Sequence, residues 1–207
     1  MKLPNTGVIF VMIPILFSSF NISYAQNPDN KQSVLNPGLF DTKAEFTIDG
    51  TIRSLSSAVA TIETHPAHGP EYLWLEINFY PFTLTDEEIA DASNGSLELI
   101  KKRRYQEDGN PQALAIYNSQ ARIVLGMDTN YKIFQVDMSV PGHSCTIAPF
   151  EEDVKNFLKE YSFEGEHLRL KSKGSYLCDI PPEEIPDWTF GLNIDLHIPV
   201  FKKMSDK

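Results

Sequence analysis

Three residues near one another could hold a metal. Glu63, His65 and His68 fall in the run Glu63-Thr64-His65-Pro66-Ala67-His68. Neutral imidazoles three apart in a turn can converge on a divalent transition metal, and a carboxylate completes such a site. The zinc arrangements with known spacing carry more ligands than this, so an exposed turn beside an edge strand fits the same residues. A second group follows directly. Tyr72, Trp74, Glu76 and Tyr80 alternate with Leu73, Leu75, Ile77 and Phe79. Period two is the period of a strand, so one face is aliphatic and reads as core. The other face reads either as half-buried or as a ligand-binding surface, because indole and phenol rings join an apolar body to a polar tip.

The other chemically suggestive residues have simpler readings. Gly142-His143-Ser144-Cys145 looks like a nucleophile segment. In a strand, however, His143 and Ser144 point to opposite faces, and the Gly-x-Ser-x-Gly elbow is missing. Cys145 is explained by pairing with Cys178, the only other cysteine. Asp195 and His197 share the polar face of the last alternating run, either as a polar site or as a solvated row. Lys101 to Arg104 is a basic run best placed at a helix C-terminus, where the dipole favours cations. The sequence has no phosphate loop, dinucleotide fingerprint or paired-cysteine metal site. The one cofactor that it suggests is a divalent transition metal at the His65–His68 turn.

The elements that position these residues are mostly strands. Ala44, Phe46 and Ile48 alternate with polar residues up to Asp49-Gly50, a two-residue hairpin turn that returns as Thr51 to Leu55. Ala58 to Thr64 is a further run, closed by the His65 to Pro70 loop. Thr85 with Glu88 forms a capping box for a short helix, and Ser96 can cap a second helical turn. Ala113 to Asn118, Ala121 to Met127 and Lys132 to Val140 read as strands, with a short one at His143 to Ile147. Phe150, Val154, Phe157, Leu158 and Tyr161 have helical spacing, which predicts a helix over 150–161. Glu166 to Lys171 and Ser175 to Cys178 read as a hairpin about Ser172-Lys173-Gly174. Trp188 to Ile198 is a long strand with one apolar face. Residues 44–82 and 163–200 echo each other as a candidate duplication, which repeated hairpin chemistry would also produce.

The bulk properties bound the class. Lys2, the apolar run Val8 to Phe17 and Ser23-Tyr24-Ala25 form a signal-peptide pattern over residues 1–25, with cleavage expected before Gln26. The run is shorter than the roughly 20 residues of a membrane helix and is interrupted by Pro14. An exported chain with two cysteines favours one disulfide, Cys145–Cys178. The net charge is −10 for the whole chain. The leader holds one Lys and no acid, so it becomes more negative once the leader is removed. That charge argues against nucleic acid and suits a cationic partner.

The expected organisation is a flexible segment over 26–43, one β-rich domain over 44–201 and a tail over 202–207. The expected fold is mainly β (α+β), an antiparallel sheet or β-sandwich of eight to ten strands with one or two helices packed on it. A lipocalin-like barrel is the alternative. The Phe46-x-x-x-Gly50 start and the long terminal strand resemble exported bacterial β-rich domains, a likeness that implies no function. The expected function is binding of a protein partner or surface ligand in the periplasm or outside the cell. An inhibitor or immunity-type protein is one form of it. The alternatives are a small-ligand carrier using the Tyr72, Trp74, Tyr80 face and a metal-binding protein or metal-dependent enzyme using Glu63, His65 and His68.

Overall fold

Nine strands form one sheet in the computed structural model, which describes residues 37–48, 50–64, 69–104, 121–140, 143–148, 151–164, 166–178 and 188–203. The strands are β1 (Asp41–Ile48), β2 (Thr51–Thr64), β3 (Tyr72–Tyr80), β4 (Ala121–Asp128), β5 (Ile133–Val140), β6 (His143–Ala148), β7 (Leu158–Glu164), β8 (His167–Cys178) and β9 (Trp188–Lys202). Their order is β6-β5-β4-β3-β2-β1-β9-β8-β7. These neighbours pair antiparallel. The end of β9 also pairs parallel with β2, Ala60 opposite Val200 and Ile62 opposite Lys202. The expected mainly-β antiparallel architecture is therefore present. Among the described residues the sheet ends at β6 and β7 and does not close into a barrel.

β2 is where the sheet folds over. Its first half pairs with β1 and its second half with β3. Leu55 faces the core, and so do Ala58 and Ala60, so the alternation slips by one residue between them. A bulge in β1 between Asp41 and Ala44 accompanies the slip. Bulges bend and twist strands, and strands that change sheets this way make the corners of sandwiches. The two halves then face each other across one core. Phe46 of β1 meets Phe79 of β3 edge-on at 5.2 Å, and the Tyr161 hydroxyl of β7 donates to Met127 Sδ of β4 at 3.1 Å. Tyr131 stacks on Phe163 at 4.5 Å. Tyr131 has φ 62° in the β4–β5 turn. In that turn the Asp128 carboxylate accepts the backbone N–H groups of Asn130 and Lys132 at 2.8 and 2.9 Å. The Lys132 N–H in particular holds the Asp128 carboxyl below its ordinary pKa.

Three helices lie among the described residues. α1 (Asp86–Ser93) starts at Thr85 with the expected reciprocal capping box to Glu88, and α2 (Glu98–Arg104) follows. Together they cover Val59 of β2 and Tyr80 of β3 on the outer face, in one buried cluster with Phe40. Glu88 is buried and receives Arg103 Nη1 at 3.0 Å, and that guanidinium lies 3.9 Å above the Phe82 ring. The basic run is thus partly structural, and Lys101 pairs with Glu98 at 2.9 Å. α3 (Glu151–Phe157) puts Val154 and Phe157 into the core. The disulfide joins Cys145 of β6 to Cys178 of β8, with Cα atoms 6.0 Å apart, tying one edge strand to the other half of the sheet.

Four readings of the sequence need correction or extension. The helix expected over 150–161 ends at Phe157, and Leu158–Glu164 run on as β7. Tyr161 and Phe163 also alternate with Ser162 and Glu164, and pairing with β8 satisfies backbone groups that a longer helix would have used differently. The expected hairpin at Ser172 to Gly174 is continuous strand, and the turn lies between Glu164 and His167 instead. Ser172 is buried and donates its hydroxyl to the Phe157 carbonyl, which suits the middle of a strand but not a turn. Residues 37–43, read as part of a flexible segment, form a 3-10 turn and the start of β1, anchored by the fully buried Phe40. Lys202, placed in the tail, belongs to β9. The echoing stretch 44–82 covers most of β1 with β2 and β3, whereas 163–200 takes in only the last two residues of β7 with β8 and most of β9. The signal-peptide pattern at 1–25, the segment 26–36 and the strand expected at 113–118 lie outside the described residues.

Two outcomes follow for stability. Closing a 33-residue separation is worth about 3–4 kcal/mol in the chain-entropy model. Urea unfolding of the Cys145→Ser/Cys178→Ser variant should show a loss of that size, and a loss under about 1 kcal/mol would contradict it. Burial, with a smaller repulsion from Tyr131, raises the Tyr161 phenol well above its ordinary pKa. The fold therefore holds this proton more tightly than the unfolded chain. Its contribution is complete below about pH 10 and is lost as the pH rises beyond that, towards the raised value. Tyr161→Phe should lose less stability than wild type between pH 9.5 and 11, and parallel loss in both would contradict the assignment.

Candidate functional site

Strand register places the polar side chains of β2 to β6 in rows across the outer face. One row runs Thr61, Glu76, Val124, Asp137, Thr146. The row beside it runs Glu63, Trp74, Gly126, Gln135, and the row on the other side Val59, Asn78, Arg122, Ser139, Ser144. The alternation that buries Leu75, Ile77, Ile123, Leu125, Val136 and Met138 inside necessarily puts these partners outside. α1 and α2 cover only the Val59 and Tyr80 end of this face. The remainder forms a groove of about 580 Å³ lined by Glu63, Trp74, Glu76, Arg122, Val124, Asp137 and residues 144–146.

The groove side chains are held in place. Asp137 accepts from Gln135 Nε2 at 2.7 Å and from the Thr146 hydroxyl at 2.6 Å. Glu76 accepts from Asn78 Nδ2 at 2.9 Å and lies 3.9 Å from an Arg122 guanidinium nitrogen. Arg122 Nε in turn donates to the Ser139 hydroxyl at 3.0 Å. Glu63 takes the Lys203 ammonium at 2.9 Å. Along the lining Glu63, Glu76 and Asp137 stand against Arg122, and with Lys203 on Glu63 the three carboxylates and two cations leave the groove weakly acidic. Gly126 has a steric role here. A Cβ on it would come within 3.0 Å of the Phe134 ring, which lies across this position and meets Tyr72 edge-on at 5.7 Å.

The residues singled out in the sequence are therefore divided. Trp74 and Glu76 line the groove, and Tyr72 sits beside it against Phe134. Tyr80 is elsewhere, buried under the helices and stacked on Phe82 at 5.4 Å. Glu63 is at one end of the groove, while His65 and His68 lie outside the described residues. Among the described residues no three or more His, Cys, Asp or Glu are grouped to hold a metal. Cys145 and Cys178 form the expected disulfide. Asp195 pairs with Lys171 at 3.5 Å rather than with His197. His197 lines a second, smaller hollow of about 400 Å³ with Ser162, Glu164, His167 and Arg169.

Arg122 and Asp137 were missed in the sequence. Each is a lone charge in an apolar strand run, Ala121-Arg122-Ile123 and Val136-Asp137-Met138, which is a usable signal for an outward position. Their place with Glu76 in one groove lining depends on strand order, which that signal does not contain.

No protein-family model, curated protein or solved structure matches the chain. No described helix is long and apolar enough to cross a membrane.

The acidity of the groove can be read from Trp74, one of two tryptophans in the chain. In a Trp188→Phe background with unchanged circular dichroism, the ratio of caesium to iodide quenching constants at equal ionic strength should exceed that of free N-acetyltryptophanamide. A ratio equal to or below that of the free indole would contradict an acidic surround.

Proposed function

We propose that the protein is an exported binding domain that takes a basic segment of a protein partner in the β2–β6 groove. The observation that carries this reading is the arrangement of Glu63, Glu76 and Asp137 around Trp74. An ammonium or guanidinium group is attracted to indole and to carboxylates alike. Polar groups already fixed by their own hydrogen bonds cost less ordering on binding. The net charge of −10 adds long-range attraction for a basic partner. The disulfide is compatible with an oxidising compartment.

The groove has the volume of a small-ligand site, but such sites are mostly apolar and this one is mostly polar. That favours a charged protein segment over the small apolar ligand of a carrier. An inhibitor or immunity-type protein that blocks a cationic toxin or hydrolase is a specific form of this reading.

The test uses fluorescence anisotropy with a labelled Lys- and Arg-containing nonapeptide and its Glu-containing counterpart. The basic peptide should bind, and added salt should weaken it. Glu76→Gln/Asp137→Asn should reduce affinity about tenfold, equivalent to about 1.4 kcal/mol. Equal binding of both peptides, or no effect of the double variant, would overturn the proposal.

A further inference from the structure

On the other half of the sheet, β7, β8 and β9 present a different set of outward residues. Glu164 lies opposite His167, and Arg169 lies opposite both Ser162 and His197. His167 and Arg169 are two apart on β8 and share a face. His197 is therefore the diagonal neighbour of His167, and the two ring centres stand 5.9 Å apart. Both imidazoles are exposed, and both line the hollow of about 400 Å³ with Glu164.

We propose that His167 and His197 form a two-point site for one late first-row divalent metal, whose remaining positions are filled by solvent. Imidazole is a favoured ligand of these ions, and affinity rises towards Cu²⁺. With metal–nitrogen bonds of 2.0–2.1 Å and a near-tetrahedral angle, two bound rings have their centres about 5 Å apart. The observed 5.9 Å needs about one ångström of closure, which exposed side chains can supply by small χ rotations. The ladder pairs Arg169 with His197, Leu168 with Ile198 and Leu170 with Leu196, and those apolar side chains are buried. The two histidines thus spring from a rigid base, which limits the entropy lost on chelation.

Arg169 is the one opposing charge in the hollow. Its guanidinium lies 3.4 Å from Glu160, which directs it towards β7, and solvent screens what remains. Glu164 adds a negative charge to the same lining. The hollow shares no lining residue with the acidic groove, so it stands or falls independently of the proposed partner.

The test is isothermal titration of the untagged, leaderless protein with Cu²⁺ and Ni²⁺ in a weakly coordinating buffer. One equivalent should bind, Cu²⁺ more tightly. Replacing either histidine by Ala should weaken binding about a hundredfold, because it removes the gain from two-point attachment. His65→Ala/His68→Ala should retain the site. Loss of binding in that variant alone would place the metal at the turn and overturn the proposal. Binding unaffected by His167→Ala and His197→Ala would also overturn it, as would no binding at all. Both positions are exposed, so unchanged circular dichroism is the control for folding.

Discussion

The structure depends on burying one face of a single sheet that is too large to remain flat and solvated on that side. Phe46, Leu75, Ile77, Ile123, Leu125, Leu196 and Ile198 all lie on that face, and each is almost fully buried. The sheet has to fold over itself for this to happen, and β2 makes it possible by shifting its alternation between Leu55 and Ala58. The buried Ser57 at this corner donates its hydroxyl to the Phe82 carbonyl at 2.6 Å, so the bend does not leave that polar side chain unmet. The disulfide, Tyr161 and the Tyr131–Phe163 stack then act across the fold.

The same constraint fixes what the outer face presents. Once the aliphatic residues of each strand are committed inward, their neighbours must meet solvent, a helix or a ligand. Near β2 and β3 the outer face is shared between α1 and α2 at one end and the groove at the other. Tyr80 and Trp74 lie on the same side of one strand, yet one is a core residue and the other lines a groove. The difference comes from the Thr85 capping box and the Arg103–Glu88 pair, which hold the helices over only one end.

Much of this could be read locally. The Asp49-Gly50 turn, the capping box, the two faces of Tyr72 to Tyr80 and the cysteine pairing are encoded by neighbouring residues or by simple counting. Gly50 does adopt φ 82°, as that turn requires. What could not be read was decided by distant partners. Leu158 to Tyr161 fit a helix or a strand equally well, and β8 chose the strand. Ser172-Lys173-Gly174 looks like a turn until the whole of β9 lies beside it. The site was half legible. Trp74 and Glu76 announced themselves, whereas Arg122, Asp137 and Thr146 meet them only through the order β3-β4-β5-β6. The His167–His197 neighbourhood likewise depends on the β8–β9 register, with 29 residues between the two positions.

The central claim is that the β2–β6 groove, and no other part of the surface, receives a basic segment. It is tested most directly by mapping amide and indole shifts in a ¹H–¹⁵N spectrum while a basic peptide is added to isotopically labelled protein. The expected result is a set of shifts confined to the Trp74 indole and the backbone of Glu63, Glu76, Val124, Asp137 and Thr146. Shifts centred instead on β7 to β9, or spread evenly over the acidic surface, would contradict it.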